Sequence, residues 1–350
     1  WRPGVFFPKP SCFETFWLKV FNQSLMPRPN VQWEHVAAIR SLAWDPTGRW
    51  IVAGSSDGVV QVFSSSSQEQ CFEYRPSRHG VAVRCIAWSS DRPVFAVGFE
   101  GGGIRVFSAP AGDNVAYLQA DDTVFDLAWS PCDKLLAAGD RTSARVFESS
   151  TWNEVAHGRF GDACVCLAWN SDASQLAGAI RDGTARVCER GTWLELEHWT
   201  HDGAVLTVAW EVGGHRLASG SKDGSARVFT MTTGATVASW THGGPVLCLA
   251  WHPAGDWLIT GSRDNKVRIF DVAEDLEIAS WILPAKVVQI SFSPLGSWLL
   301  AVSRPTSNAS VHDSAELLVE GAVDVIDITR LLQVAAWRSN SNLSLITTAC

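Results

Sequence analysis

The chain has 350 residues, 46% of them hydrophobic and 18% charged, which supplies a globular core and excludes an intrinsically disordered protein. Its formal net charge of −8 excludes a nucleic-acid partner gripped through bulk positive charge. No apolar run approaches the roughly 18 residues of a spanning helix, so no membrane partner is expected; the 9 scattered cysteines, without a C-x-x-C pair or a zinc-spaced His/Cys cluster, point to reduced thiols, no metal and a cytoplasmic or nuclear setting.

Residues 1–35 form an N-terminal segment in which Leu18 to Phe21, then Val31-Gln32-Trp33 and His35, copy the last half of a unit that recurs downstream, and its strands are expected to pair with the C-terminal unit and close the array. From residue 36 the chain repeats itself. A short apolar strand ending in Ala-Trp is predicted at Trp44, Trp88, Trp129, Trp169, Trp210 and Trp251, and as Ser-Phe at Phe292, with spacings of 44, 41, 40, 41, 41 and 41. A later strand of each unit, often written R-V-F, ends at Phe63, Phe107, Phe147, Cys188, Phe229 and Phe270, and in the seventh copy at Ile326, displaced by an insertion. A further strand places Tyr74, Leu118, Trp199, Trp240, Trp281 and Trp337 at one register, while the third copy blurs around Gly158. Pro/Gly/Asp turns such as Asp45-Pro46-Thr47-Gly48 and Asp223-Gly224 separate the strands, and no segment keeps a helical period.

Four strands in about 41 residues is the arithmetic of a propeller blade. The expected fold is all-β: a seven-bladed β-propeller of four-stranded antiparallel blades over residues 36–338, with residues 339–350 a tail or extra strand. An eighth blade built from both ends is the alternative. Six tryptophans sit at the first anchor, five (Trp33, Trp199, Trp240, Trp281, Trp337) on the last strand, and Trp50, Trp257 and Trp298 lie six residues past an anchor. They are read as inter-blade packing.

The unit Leu217 to Phe229, L-A-S-G-S-K-D-G-S-A-R-V-F, with His201 before the anchor and Asp223 in the hairpin, resembles the WD-repeat family. The dipeptide that names the family is missing: Phe replaces its Trp in most copies, and its Asp survives at Asp271. The resemblance implies a hydrogen-bonded His, Ser/Thr, Asp and Trp set within a blade. Only His201, Ser219, Asp223 and His242, Thr260, Asp264 keep its first three members, and Phe has no N–H to complete it.

Several patterns invite catalytic readings. Gly54-Ser55-Ser56-Asp57-Gly58 matches G-x-S-x-G, but a nucleophile elbow needs a strand-to-helix turn, and here a strand-to-strand hairpin is expected. The His/Ser/Asp sets recur at a structural period, as a nucleophile has no reason to do. Cys85, Cys166 and Cys248 sit three residues before an anchor and read as small packing residues. Arg105, Arg145, Arg186, Arg227 and Arg268 hold one strand position and read as a structural repeat. No catalytic residue, metal site or cofactor is assigned.

Loops on a rigid scaffold concentrate recognition, and the family resemblance implies docking on the channel-side face, six and four residues before each anchor and just before the hairpin Asp. These positions map to Ala38 and Arg40, Ala82 and Arg84, Thr123 and Phe125, Ala163 and Val165, Ala204 and Leu206, Pro245 and Leu247, Lys286 and Val288, with hairpin residues Arg181, Lys222 and Arg263. An apolar side ringed by basic residues suits peptide segments bearing acidic and apolar residues. The expected function is a non-catalytic protein–protein interaction scaffold, a subunit or adaptor of a larger intracellular complex. A substrate receptor of a ubiquitin ligase complex is the alternative, although its W-D-x-R signature is absent and Ile269-Phe270-Asp271-Val272 is the nearest stretch. The insertion at 304–321 reads equally as a partner-specific arm or as a bland loop.

Overall fold

The computed structural model describes residues 37, 39–47, 49–64, 67, 69–76, 81–292, 298–304 and 322–327. The first sheet is β1 (Ile39–Trp44), β2 (Trp50–Ser55), β3 (Val60–Ser64) and β4 (Gln70–Tyr74). The second is β5 (Val83–Trp88), β6 (Val94–Phe99), β7 (Gly103–Ser108) and β8 (Asn114–Gln119). Then come β9 (Asp126–Trp129), β10 (Leu135–Gly139), β11 (Ser143–Glu148) and β12 (Glu154–Arg159), followed by β13 (Cys164–Trp169), β14 (Gln175–Ile180), β15 (Thr184–Glu189) and β16 (Glu195–Thr200). The fifth sheet is β17 (Val205–Trp210), β18 (Arg216–Ser221), β19 (Ser225–Thr230) and β20 (Thr236–Thr241), and the sixth β21 (Val246–Trp251), β22 (Trp257–Ser262), β23 (Lys266–Asp271) and β24 (Leu276–Ile282). A seventh comprises β25 (Lys286–Phe292), β26 (Trp298–Arg304) and β27 (Ala322–Asp327).

Every sheet is an antiparallel meander in chain order, six of them four-stranded and the last three-stranded among the described residues. The displaced seventh copy falls where the repeat predicts, since Ile326 pairs with Leu299 as Phe270 pairs with Leu258. First strands touch the first strands of their neighbours from β1 through to β25, so they line the axis and the sheets radiate from it. Strand chemistry follows position: β18 and β22 are buried almost throughout, whereas β8, β12 and β16 share an outermost pattern that is mostly exposed. Turns obey the Asx rule, with Asp182, Asp223 and Asp264 each accepting the backbone N–H two residues on, at 2.8, 2.7 and 3.0 Å. The hypothetical elbow at Ser56 is such a turn between β2 and β3, with no helix after it.

Neighbouring sheets are stapled by their anchor tryptophans. Trp88, Trp129, Trp169, Trp210 and Trp251 each donate the indole N–H to the carbonyl just before the preceding anchor, at Ala43, Ala87, Ala128, Ala168 and Ala209, over 3.0–3.2 Å. Packing alone was the expectation; the ladder also satisfies the polar end of each indole, buried at Trp169 and Trp251 and half-buried at the other three. Close approach completes the contact: a Cβ on Gly98, Gly220 or Gly261 would stand 2.6–2.7 Å from the Val124, Val246 or Val287 side chain of the next sheet.

The blurred third copy has a physical reason. Gly158 lies on the expected register, paired with Ala144 as Trp199 is with Ala185. A Cβ there would stand 0.9 Å from the indole nitrogen of Trp193, so a loop residue of the next sheet fills the volume its strand leaves empty. Trp193 occupies a left-handed loop position, φ 59°, that is Gly112, Trp152, Gly234 and Asp275 in sister sheets. Bulk is exchanged across four successive junctions. Where the outer strand presents Tyr74 or Trp199 the loop carries glycine, and where it presents Leu118 or Gly158 the loop carries tryptophan. Holding a tryptophan at positive φ costs about 1–2 kcal/mol, which the filled volume offsets.

Candidate functional site

Each first strand except β9 carries a register shift four residues before its anchor, at Arg40, Arg84, Val165, Leu206, Leu247 and Val288. A bulge leaves one residue unpaired and re-aims its side chain. Phe125, just ahead of β9, holds the same place and donates its N–H to Gly139 O at 2.8 Å. Phe125, Val165, Leu206, Leu247 and Val288 are half-buried, while Arg40, Arg181, Lys222 and Arg263 are exposed. Ala38 lies outside the described residues, as do the N-terminal segment, the 305–321 insertion, Trp337 and the tail.

Backbone bonds fix the hairpin residues beside the strand entrances. The N–H groups of Arg181, Lys222 and Arg263 donate to Ala163, Ala204 and Pro245 O at 2.9, 2.8 and 2.8 Å. Three predicted residues from three consecutive sheets then converge, because the guanidiniums of Arg84 and Arg181 lie 5.3 and 5.7 Å from the centroid of the Phe125 ring. Cation–π contact holds both cations against an apolar surface. Glu100 was missed by sequence reasoning. It occupies the hairpin position of the second sheet, donating its N–H to Ala82 O at 2.9 Å, and its carboxylate lies 3.4 Å from Arg84. It escaped because Gly101 stands where the hairpins of Arg181, Lys222 and Arg263 carry Asp, although Glu100 follows Ala82 by the same 18 residues that separate Arg181 from Ala163.

His201 gathers Ser219 and Asp223 and His242 gathers Thr260 but not Asp264, and both contacts run across sheets rather than within one. His201 follows β16 of the fourth sheet, and its ring nitrogens lie 2.7 Å from Ser219 Oγ and 2.7 Å from Ser225 Oγ of the fifth, with Asp223 at 3.6 Å. His242 follows β20 and lies 2.7 Å from Thr260 Oγ1 of the sixth sheet. Its other nitrogen meets Gly224 O at 3.1 Å, while Asp264 turns to the Gly243 N–H and to Arg268. The missing donor is replaced by stacking: Trp199 lies on Phe229 and Trp240 on Phe270, with centroids 4.3 and 4.2 Å apart. Burial pushes both imidazoles down to about 4, with Arg227 and Arg268 adding repulsion. Neutral, hydrogen-bonded rings of this kind are joints between sheets, not general bases at pH 7.

Three residues before each anchor, the cysteines act as expected of packing residues. The thiols of Cys85, Cys166 and Cys248 point at Val124, Val208 and Val287 carbonyls of the next sheet over 3.8–3.9 Å. Burial holds all three thiols above their ordinary range, Cys166 up to about 12. The third sheet differs, with Asp126 accepting the Leu167 N–H at 2.8 Å. Asp126 retains partial exposure, yet protein crowds its carboxyl and burial pushes it up to about 6, against the hydrogen bonds that lower it. Nothing in the sequence pattern singled out this residue. Among the described residues no group of His, Cys, Asp or Glu could hold a metal ion, and no helix is long and apolar enough to cross a membrane.

Comparison with known proteins agrees with this geometry. Residues 30–64, 195–230 and 234–271 match the model of the WD domain, G-beta repeat, and residues 66–130 match the Anaphase-promoting complex subunit 4 WD40 domain. No curated protein matches the chain. Among solved structures it is similar to the computationally designed Ika8 protein, with 19% identity, a TM-score of 0.70, and coverage of 84% of this chain and 85% of that one. That likeness speaks for the fold alone. With repeat matches at several points and radial sheets throughout its described length, the chain carries WD repeats in an arrangement consistent with a WD-repeat β-propeller.

Proposed function

We propose that the protein is a non-catalytic interaction scaffold, a subunit or adaptor of a larger cytoplasmic or nuclear assembly, that captures partner segments on its channel-side face. The observation that carries this reading is the convergence of Arg84 and Arg181 on Phe125, beside the half-buried Val165 and Leu206 and the exposed Lys222 and Arg263. A rigid apolar surface ringed by cations favours a peptide with interleaved acidic and apolar side chains. Glu100, the acid beside Arg84, keeps the second sheet's edge selective against a uniformly acidic run. One matched family model is named for a subunit of the anaphase-promoting complex, which supports membership of an assembly. The burial-raised thiols of Cys85, Cys166 and Cys248 and the neutral His201 and His242 support a structural role for these residues.

The ring is inferred to have seven blades, on the strength of seven anchors in the repeat. An eighth blade remains the alternative outcome of any experimental map of the whole chain. The functional test is affinity purification with mass spectrometry on the Phe125→Ala/Leu206→Ala double variant. Stable stoichiometric partners should be lost while the melting temperature stays within a few degrees of the parent. Undiminished recovery of the same partners would overturn the placement of the site.

A further inference from the structure

Arg105, Arg145, Arg186, Arg227 and Arg268 hold one position on the third strand of successive sheets. In three of them the chain's own carboxylates close on the guanidinium. Arg145 is met by Asp121 and by Glu154 at 2.6 Å, Arg186 by Asp182 at 2.7 Å and Glu195 at 3.7 Å, and Arg268 by Asp264 at 2.7 Å and Glu277 at 3.7 Å. The three glutamates share one outer-strand position, opposite Phe147, Cys188 and Phe270.

The fifth sheet breaks this pattern. Opposite Phe229 stands Thr236, and Asp223, four residues before Arg227, accepts the N–H groups of Asp202 and Ser225. Arg227 donates through Nη1 to Thr200 O at 2.8 Å, and among the described residues no carboxylate lies within ion-pair distance of it. Beside it is an open cleft of about 270 Å³ bounded by His198, Trp199, Thr200, Arg227, Phe229 and Thr236. Arg105 also lacks a carboxylate, with Asn114 opposite Phe107, but the rings of Tyr74 and Tyr117 cover it from 5.0 and 4.9 Å.

We propose that this rim cleft, between β16 and β19–β20, receives a glutamate side chain of a partner protein on Arg227, in the seat that Glu154, Glu195 and Glu277 fill in sister sheets. The chain itself displays the recognition chemistry three times, which fixes the occupant as a carboxylate on an extended segment. Leu196 and Val237 stand exposed on the flanking strands and Leu194 just ahead of β16, so apolar residues adjoin the acid in the bound segment. Glu197, packed toward the Gly234 turn, repels a second anion, and the segment carries one acid rather than a run. Lying on the outermost strands, this surface is separate from the channel-side face and leaves that face open to a different segment.

The test titrates two capped pentapeptides, Ser-Val-Glu-Val-Ser and its glutamine twin, into the isotope-labelled full chain while following the Arg227 Nε–H and Trp199 Nε1–H resonances. The glutamate peptide should bind about tenfold more tightly than its twin, and Arg227→Gln and Thr236→Glu should each weaken it about tenfold. Phe125→Ala should leave its affinity unchanged. Thr236→Glu installs the residue that sister sheets tolerate, so its melting temperature should not fall and lost binding is not lost folding. Equal affinity for the two peptides, no saturable shift with the glutamate peptide, or full-strength binding to Thr236→Glu would overturn the proposal.

Discussion

Gly158→Trp should be among the most damaging single substitutions in the chain, although the fourth and fifth outer strands carry tryptophan at that register. Its Cβ would begin 0.9 Å from the Trp193 indole nitrogen, and two indoles would compete for one volume at a cost of roughly 3 kcal/mol or more. Trp193→Gly acts oppositely on two terms. It releases a left-handed backbone at φ 59°, worth about 1–2 kcal/mol, but strips a half-buried indole whose loss costs about 3 kcal/mol. The net is a loss of roughly 1–2 kcal/mol. The combination Gly158→Trp, Cys188→Phe, Trp193→Gly copies the junction of the next two sheets, where Trp199 stacks on Phe229 and Gly234 takes the loop position. It should recover stability to within about 1 kcal/mol of the parent, because the three residues share one contact and are not additive. Urea unfolding followed by far-UV circular dichroism reads all three variants. A triple variant no more stable than Gly158→Trp alone, or a Gly158→Trp chain as stable as the parent, would refute the exchange of bulk across junctions.

Asp126 has its carboxyl raised from 3.8 to about 6 in the folded chain, so folding takes up a proton between those values and stability falls as pH rises through the window. Asp126→Asn should therefore stabilise the protein at pH 7, by up to about 2–3 kcal/mol, and flatten the profile between pH 4 and 6; unchanged urea midpoints would contradict this. His201 and His242 act with the opposite sign. Their folded values near 4 lie below the ordinary 6.5, so the stability they contribute at neutral pH is lost as pH falls from 6.5 toward 4, and the loss should shrink in His201→Gln/His242→Gln. Trp210→Phe should cost about 1–2 kcal/mol, since it removes the indole donor to Ala168 O. The reverse change, Phe292→Trp, starts from an anchor with no indole bond to lose, and a thermal melt of each compares them directly.

The fold was legible because the repeat samples one geometry many times. Anchor spacing located the first strands, and even the displaced Ile326 landed opposite Leu299. Features present in only one or two copies were not legible. Trp152 and Trp193 share a loop position but have small counterparts in the other sheets, so the repeat pattern does not reveal them as fillers of missing strand side chains. Asp126 was hidden because its position elsewhere holds Cys85, Cys166, Thr207 or Cys248, and only packing reveals that a carboxyl there must accept the Leu167 N–H. The histidine pattern was visible in the sequence but not its frame: the sequence unit runs from one outer strand into the next sheet, so His201 and His242 reach Ser219 and Thr260 of the neighbouring sheet, and Asp264 stays off His242. For the channel-side face, register counting gave the positions; that Phe125 touches both Arg84 and Arg181 depends on three sheets meeting at the axis.

The channel-side assignment is tested most directly by site-specific photo-crosslinking in cells, with a benzophenone side chain placed at Phe125 in one chain and at the exposed rim residue Val155 in another. Mapping the adducts by mass spectrometry should yield partner peptides with interleaved acidic and apolar residues from position 125, and lose them when Arg84 and Arg181 are both replaced by glutamate. Adducts that form at 155 and not at 125, or that persist at 125 after the charge reversal, would contradict the account.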